Sequence, residues 1–110
     1  MPTQIVTGTD RLTLINVFET TPETQQRLID ITKEQIEQTV GKLPGLISAN
    51  LHASRDGLRV VNYAQWESVD AWKAMMANQK AGEKREMIEG IAVPDVHEYD
   101  VVATYEGSSA

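Results

Sequence analysis

Apolar and polar residues alternate along four parts of the chain, which is the pattern of half-buried β-strands. The first is residues 11–19 (RLTLINVFE). Residues 44–54 and 58–67 also alternate and flank the sequence Arg-Asp-Gly, and Asp-Gly between two such runs is typical of a β-hairpin. Residues 96–106 (VHEYDVVATYE) alternate again. The pattern predicts four strands, the second and third joined by a hairpin.

Helical patterns lie between these strands. Thr21 is suited to cap a long amphipathic helix, with a proline at its first position and Gly41 just past its end. After the third strand, Ser68 can cap a shorter helix over residues 69–79, and a further helical piece follows at residues 82–90.

The resulting order, β-α-β-β-α-β, is that of the ferredoxin-like α+β fold, in which a four-stranded antiparallel sheet carries its helices on one face. No interior stretch is rich in Pro, Gly or Ser, so we expect a single domain over residues 11–106. Residues 1–10 are then a polar leader, and residues 107–110 a tail that frays.

The other face of the predicted sheet is apolar as well. The apolar residues on that side of the first and third strands are Ile15, Val17, Val61 and Tyr63. Because the helices cover only one face, the second face needs another partner. We therefore expect a homodimer that packs through the open sheet face.

Composition excludes several classes of function. The 110 residues carry a net charge of −6 and the 10 basic residues are scattered, so neither nucleic acid nor a membrane surface is an expected partner. Without cysteine, the chain forms no disulfide or thiolate metal site. It has no secretory signal and no run of about eighteen apolar residues, so we expect a cytoplasmic protein. The glycine motifs of nucleotide-binding sites are also missing.

Polar side chains on predicted buried faces are the candidates for chemistry. Asn62 and Trp66 share one face of the third strand, roughly 13 Å apart, a span that suits the two ends of a planar multi-ring ligand. Asn16 points into the same compartment if the first and third strands are neighbours. A buried amide is costly unless it is hydrogen-bonded, so either the protein or a ligand oxygen must satisfy these groups.

A purely structural interpretation is open for each candidate. Trp66 can be an ordinary core residue, and the helical spacing of Trp72, Met75 and Met76 is explained by core packing alone. His52 and His97 lie on different strands without further ligands at metal-binding spacing, so we expect ordinary strand residues and no metal site.

The stretch PGLISANLHASRDGLRVVNYAQWES (residues 44–68), followed by DAWKAM, resembles the antibiotic biosynthesis monooxygenase family, and the likeness extends over roughly residues 11–105. The resemblance implies a dimeric ferredoxin-like α+β barrel. Its best understood members oxidise anthrone-like or naphthol-like polyketide intermediates to quinones with O₂ and without a cofactor. An electron-rich substrate reduces O₂ directly there, and the enzyme supplies a dry cavity and hydrogen bonds to the oxyanion.

In such enzymes the cavity between sheet and helices is lined by polar and aromatic residues. By resemblance, the catalytic positions correspond to Asn62, Trp66 and Asn16. The residues expected to bind substrate are Leu14, Phe18, Trp72, Met75, Met76 and Arg85. Some relatives have a tyrosine at the position similar to Trp72, and tryptophan lacks its phenol.

Two other functions remain open. Haem-degrading enzymes share this dimeric fold but add an iron-ligating histidine on the helix after the third strand, and residues 69–90 contain no histidine. A closer alternative is a dimeric α+β barrel protein that binds small molecules or handles quinols in general metabolism, with no oxygenase activity.

Overall fold

The computed structural model describes residues 3–109, and it is built around one four-stranded antiparallel sheet. The strands are β1 (Leu12–Glu19), β2 (Leu46–Ala53), β3 (Arg59–Trp66) and β4 (Pro94–Tyr99), in the spatial order β2-β3-β1-β4. The helices are α1 (Pro22–Gln38), α2 (Val69–Met76) and α3 (Gln79–Glu89). The ferredoxin-like α+β fold is therefore confirmed, with two helices between β3 and β4.

The start of α1 is as predicted, but its end is not. The Thr21 hydroxyl accepts a hydrogen bond from the Thr24 N–H, and the Thr24 hydroxyl is bonded in return to the Thr21 N–H. Gly41 was wrongly predicted to be the residue just past the helix end, since α1 ends at Gln38 and is capped by Thr39. It lies instead inside a 3₁₀ turn, Val40–Lys42, where a Cβ would come within 2.5 Å of the Ile36 carbonyl oxygen.

The β2–β3 hairpin forms around the predicted Asp-Gly turn. Gly57 has a φ of 81°, which favours glycine, and its backbone packs against Pro22. The Asp56 carboxylate accepts hydrogen bonds from the Leu58 N–H at 2.9 Å and the Ser54 hydroxyl at 2.8 Å. These two bonds stabilise the charged form and lower the pKa of Asp56 below its usual value.

The second helical region breaks earlier than the sequence pattern indicates. Ser68 caps α2 as predicted, but the helix ends at Met76 because the Asn78 side chain accepts a hydrogen bond from the Ala81 N–H and starts α3. The predicted helix over residues 69–79 was therefore too long, because residue 79 already belongs to α3.

Strand β4 is shorter than predicted and begins earlier. It pairs with β1 from Pro94 opposite Phe18 to Tyr99 opposite Thr13. The pairing runs toward the start of β1, which is Leu12. Residues that follow Tyr99 therefore have almost no β1 residues left to pair with. The prediction of a strand over residues 96–106 was thus wrong for residues 100–106, which form no strand although they alternate.

The helices cover one side of the sheet, here called the inner face, and pack there in two apolar clusters. One cluster lies around Trp66, with Leu12, Leu14, Val40, Ala64 and Ala81. The other lies around Leu28, with Phe18, Val60, Ile88 and Ala92. Leu12, Leu14 and Phe18 belong to the same strand, so each cluster holds one end of the inner face.

The opposite side, the outer face, is covered only in part. Residues 3–11 run along it, and the Gln65 side chain there donates to the Gln4 carbonyl at 2.8 Å. Gln65 and Thr13 are consequently buried, whereas Ile15, Val17, Val61 and Tyr63 are only half-buried. The expectation that this face is entirely bare was therefore wrong at the Gln65 end. No helix within residues 3–109 combines the length and the apolar character needed to span a bilayer.

Gly45, between the 3₁₀ turn and β2, allows the loop to approach α2 closely. Its φ is 95°, and a Cβ there would overlap the Cβ of Ala71 and lie 3.8 Å from the Trp66 ring. The Gly45 carbonyl also accepts the Glu67 N–H at 2.7 Å. The loop is thereby attached to the end of β3.

We predict that Gly45→Ala lowers the free energy of unfolding by about 2–4 kcal/mol, because it adds left-handed strain to a steric overlap. Urea denaturation measures the change. Gly107→Ala, where a Cβ meets nothing within 4 Å, is the matched control and leaves stability unchanged. Equal stability of the two variants would contradict the close packing described for Gly45.

Candidate active site

A cavity of about 190 Å³ lies between the inner face and the helices, between the two apolar clusters. All nine residues singled out from the sequence line it. They are Leu14, Asn16, Phe18, Asn62, Trp66, Trp72, Met75, Met76 and Arg85. An engineered cavity of about 150 Å³ encloses benzene, so this space fits one or two fused rings. The fold brings these residues together, while their roles stay predictions.

The sheet side of the cavity is a ladder of cross-strand pairs between β1 and β3. Its rungs are Leu12–Trp66, Leu14–Ala64, Asn16–Asn62 and Phe18–Val60. Side chains of directly opposed residues start roughly 5 Å apart. The ladder is thus apolar at both ends and carries two carboxamides on its third rung. We call Asn16 and Asn62 the amide pair.

The two members of the amide pair are held differently. The Asn16 Oδ1 accepts a hydrogen bond from the Asp95 backbone N–H at 3.1 Å, at the start of β4. Because a backbone N–H can only donate, this bond fixes which end of the amide is oxygen. The Nδ2 of Asn16 is the end that remains, and it can only donate.

Asn62 has no such restraint. Its Oδ1 is buried and has no hydrogen-bond partner in the described part of the chain. Burying an unpaired amide oxygen costs about 1–3 kcal/mol. Rotating the side chain breaks no bond to this oxygen, so the amide can present either its donor or its acceptor to the cavity. Such an uncompensated polar group in a native core calls for an explanation, and a hydrogen bond to a ligand is one.

Trp66 serves both as core and as cavity wall. It is 2% exposed and packs in the cluster that contains Leu14 and Ala64, with Trp72 and Met75 against it. The structural interpretation of Trp66 is therefore correct, and it does not exclude contact between the indole and a ligand.

Charged groups lie only at the rim. Among residues 3–109, the ionisable side chains that line the cavity are Arg85 and Glu89. The Arg85 guanidinium donates to the Met76 carbonyl at 3.2 Å and approaches the Met76 Sδ at 3.5 Å, so it holds the end of α2 to α3. Apart from these two, the lining is apolar or neutral, and it can exclude water from a bound ring system.

The two histidines lie away from the cavity. His52 pairs with Val61 and His97 with Ile15, which places both on the outer face. Neither can ligate an iron held in the cavity. Residues 3–109 contain no group of three or more side chains of the kinds that bind metal ions.

Sequence reasoning missed the part of the cavity that α1 lines. Thr32 and Gln35 of α1 line it, and they follow Leu28 at helical spacing. Their helical spacing from Leu28 places both residues on the buried side of α1. Because both are polar, they are easily taken for the edge of the apolar stripe rather than for part of it. Val96 and Pro94 of β4 also line the cavity, near its rim.

Comparison with known proteins gives a consistent result. A family model described as antibiotic biosynthesis monooxygenase matches residues 11–86. Over 71 residues the chain is 45% identical to the tetracenomycin-F1 monooxygenase of Streptomyces glaucescens. The matched segment covers 64% of this chain and 63% of that protein. The chain thus matches less than two thirds of this relative's length.

Solved structures resemble the whole fold. A Streptomyces coelicolor monooxygenase in complex with nanaomycin D has a TM-score of 0.76 and 28% identity, covering 91% of this chain and 94% of that chain. SnoaB, a cofactor-independent oxygenase from Streptomyces nogalater, has a TM-score of 0.71 and 19% identity, covering 86% and 96%. At that identity the second likeness shows the fold alone.

We predict that Asn62→Leu leaves the free energy of unfolding unchanged or raises it by about 1 kcal/mol, because it removes an unpaired buried oxygen. Asn16→Leu is the matched substitution across the sheet. It loses the bond to the Asp95 N–H and lowers stability by about 0.5–1.5 kcal/mol. Urea unfolding compares the two variants. If Asn62→Leu proves as destabilising as Asn16→Leu, the Asn62 amide has a protein partner.

Proposed function

We propose, because this chain belongs to the antibiotic biosynthesis monooxygenase family, that it is a monooxygenase that oxidises a polycyclic phenolic polyketide with O₂ to a quinone. The observation that carries the proposal is the buried, unpartnered Asn62 carboxamide oxygen in a largely apolar cavity. The names of the relatives support the substrate class: one gives tetracenomycin F1, and another gives nanaomycin D as a bound ligand.

The size of the cavity supports a specific placement of the substrate. About 190 Å³ encloses the reacting rings of a polycycle but not all of it. The remaining rings then lie at the rim, where Met76 and Val96 are 40% and 41% exposed and offer apolar surface. In this placement Trp66 forms a flat wall beside the reacting rings.

The chemistry needs no oxidant other than O₂. The enolate or phenolate of the substrate gives one electron to O₂, and the resulting radical pair forms a carbon–oxygen bond as a peroxide. Loss of water from the peroxide then turns the CH₂ carbon into a ketone, so that substrate and O₂ give quinone and water. The protein positions the substrate and hydrogen-bonds the developing oxyanion, which are the two effects that such a site can supply.

Within this mechanism the amide pair has two roles. The Asn16 Nδ2 is the fixed donor and stabilises the substrate oxyanion. The Asn62 Nδ2 can donate to the same oxygen, while its unpartnered Oδ1 can accept the O–H of a substrate phenol or of the hydroperoxide.

We predict that Asn62→Leu lowers kcat for quinone formation by about 10²–10³-fold, the usual effect of losing an oxyanion donor. Trp66→Phe lowers it less, because the aromatic wall is partly kept. Oxygen uptake and quinone absorbance are followed with an anthrone as substrate, because its CH₂ carbon can become the new ketone. Gln38→Leu, which removes an exposed carboxamide of α1, is the control with wild-type activity. Uptake equal to the protein-free rate would indicate a small-molecule-binding protein instead.

We also propose that the chain forms a homodimer through the outer face. Ile15, Val17 and Val61 are only half-covered there in a single chain. Beyond β4, the unpaired segment of residues 100–106 exposes 92% of Val102 and of Tyr105. Exposed apolar surface of this kind is typical of an interface, and a second copy would cover it.

We predict a mass of two chains in light scattering coupled to gel filtration. Val17→Arg places an unpaired charge in the proposed interface and shifts the protein toward the mass of one chain. Met87→Arg adds the same charge on the helix side, where Met87 is 51% exposed, and leaves the mass unchanged. A wild-type protein with the mass of one chain would refute the dimer.

A further inference from the structure

Gln35 lies on α1, on the side of the cavity that faces the sheet, and its orientation is fixed by chemistry. Its Nε2 donates to the Ala81 carbonyl at 3.2 Å, and Ala81 itself is fully buried. A carbonyl can only accept, so the amide cannot turn its oxygen toward Ala81 without placing two acceptors together. The Oε1 of Gln35 is therefore the end available to a ligand, and it can only accept.

Thr32, one turn earlier on the same helix, is likewise left as a hydrogen-bond acceptor. Its hydroxyl donates to the Leu28 carbonyl at 2.8 Å, which uses its only hydrogen. The α1 wall of the cavity thus offers acceptors, whereas the Asn16 Nδ2 on the sheet side is a donor. Hydrogen-bond acceptors on α1 therefore lie across the cavity from a donor on the sheet.

We propose that Gln35 determines specificity by accepting a hydrogen bond from a hydroxyl group on the ligand edge opposite the oxygen bound by the amide pair. This proposal rests on the proposed function only in taking the ligand to be a planar phenolic ring system. A complementary ligand has an acceptor oxygen at one edge and a free O–H at the other. A methyl ether at that second position leaves the Gln35 Oε1 unpaired inside the cavity, and such sites reject analogues that lack the hydroxyl.

The test uses two bicyclic probes that fit the cavity, 6-hydroxy-2,3-dimethyl-1,4-naphthoquinone and its 6-methyl ether. Both are quinones and are not consumed by O₂, so binding is measured whether or not the chain is an oxygenase. Nuclear magnetic resonance titration of the ¹⁵N-labelled full chain, at a pH where the hydroxyl is protonated, gives both Kd values. We expect the hydroxy compound to bind the wild type about three- to tenfold more tightly.

Gln35→Met keeps the length of the side chain and removes its acceptor. The preference for the hydroxy compound then falls to about one, while affinity for the ether stays within about twofold and shows that the cavity is intact. Gln38→Met, the same change at an exposed position of α1, keeps the wild-type preference. An unchanged preference in Gln35→Met would overturn the proposal.

A second readout needs no variant. In the wild type, the Gln35 side-chain amide resonances shift with the hydroxy compound and much less with the ether. Equal shifts with both probes would overturn the proposal even if Gln35→Met failed to fold. A hydroxyl preference without O₂ uptake refutes the oxygenase alone, and O₂ uptake without a hydroxyl preference refutes the role of Gln35 alone.

Discussion

The register between β1 and β3 is the constraint on which the site depends. It sets Asn16 directly opposite Asn62, with apolar rungs on both sides. A shift of either strand by one residue would turn its amide to the outer face and bring Thr13 or Gln65 inward. The apolar clusters at either end of the inner face oppose such a shift, because each buries large side chains of both strands. The same packing that stabilises the fold therefore holds the Asn62 carboxamide, whose oxygen has no partner, in a place where an apolar residue would be at least as stable.

Hydrogen bonds to the backbone determine whether each polar side chain of the cavity can still donate or accept a hydrogen bond. Asn16 is left as a donor by the N–H of Asp95, and Gln35 is left as an acceptor by the carbonyl of Ala81. Within residues 3–109, two buried side-chain oxygens have no hydrogen-bond partner, that of Asn62 in the cavity and that of Gln65 on the outer face. A site with fixed donors and acceptors around one adaptable amide can hold a ligand in a single orientation while an oxygen atom on it changes charge. Within the cavity, stability and function are in tension at Asn62.

Much of this arrangement could be predicted from the sequence because local patterns and tertiary packing agree. Alternation in residues 11–19 and 58–67 identified the inner face, and the residues that the family resemblance added, such as Arg85, line the same cavity. Predictions failed where the outcome depends on distant partners. Residues 100–106 alternate like a strand, yet β1 is too short to pair with them. Gln35 was missed because its importance depends on the Ala81 carbonyl, 46 residues away, which no local pattern reveals.

The central claim is that the Asn62 amide is kept for a ligand rather than for the protein. A crystal structure with a bound hydroxynaphthoquinone tests it most directly. We predict a quinone oxygen within about 2.7–3.2 Å of the Asn62 carboxamide and of the Asn16 Nδ2, with the rings against Trp66. A structure in which Asn62 bonds to protein groups and the quinone binds elsewhere would contradict the claim.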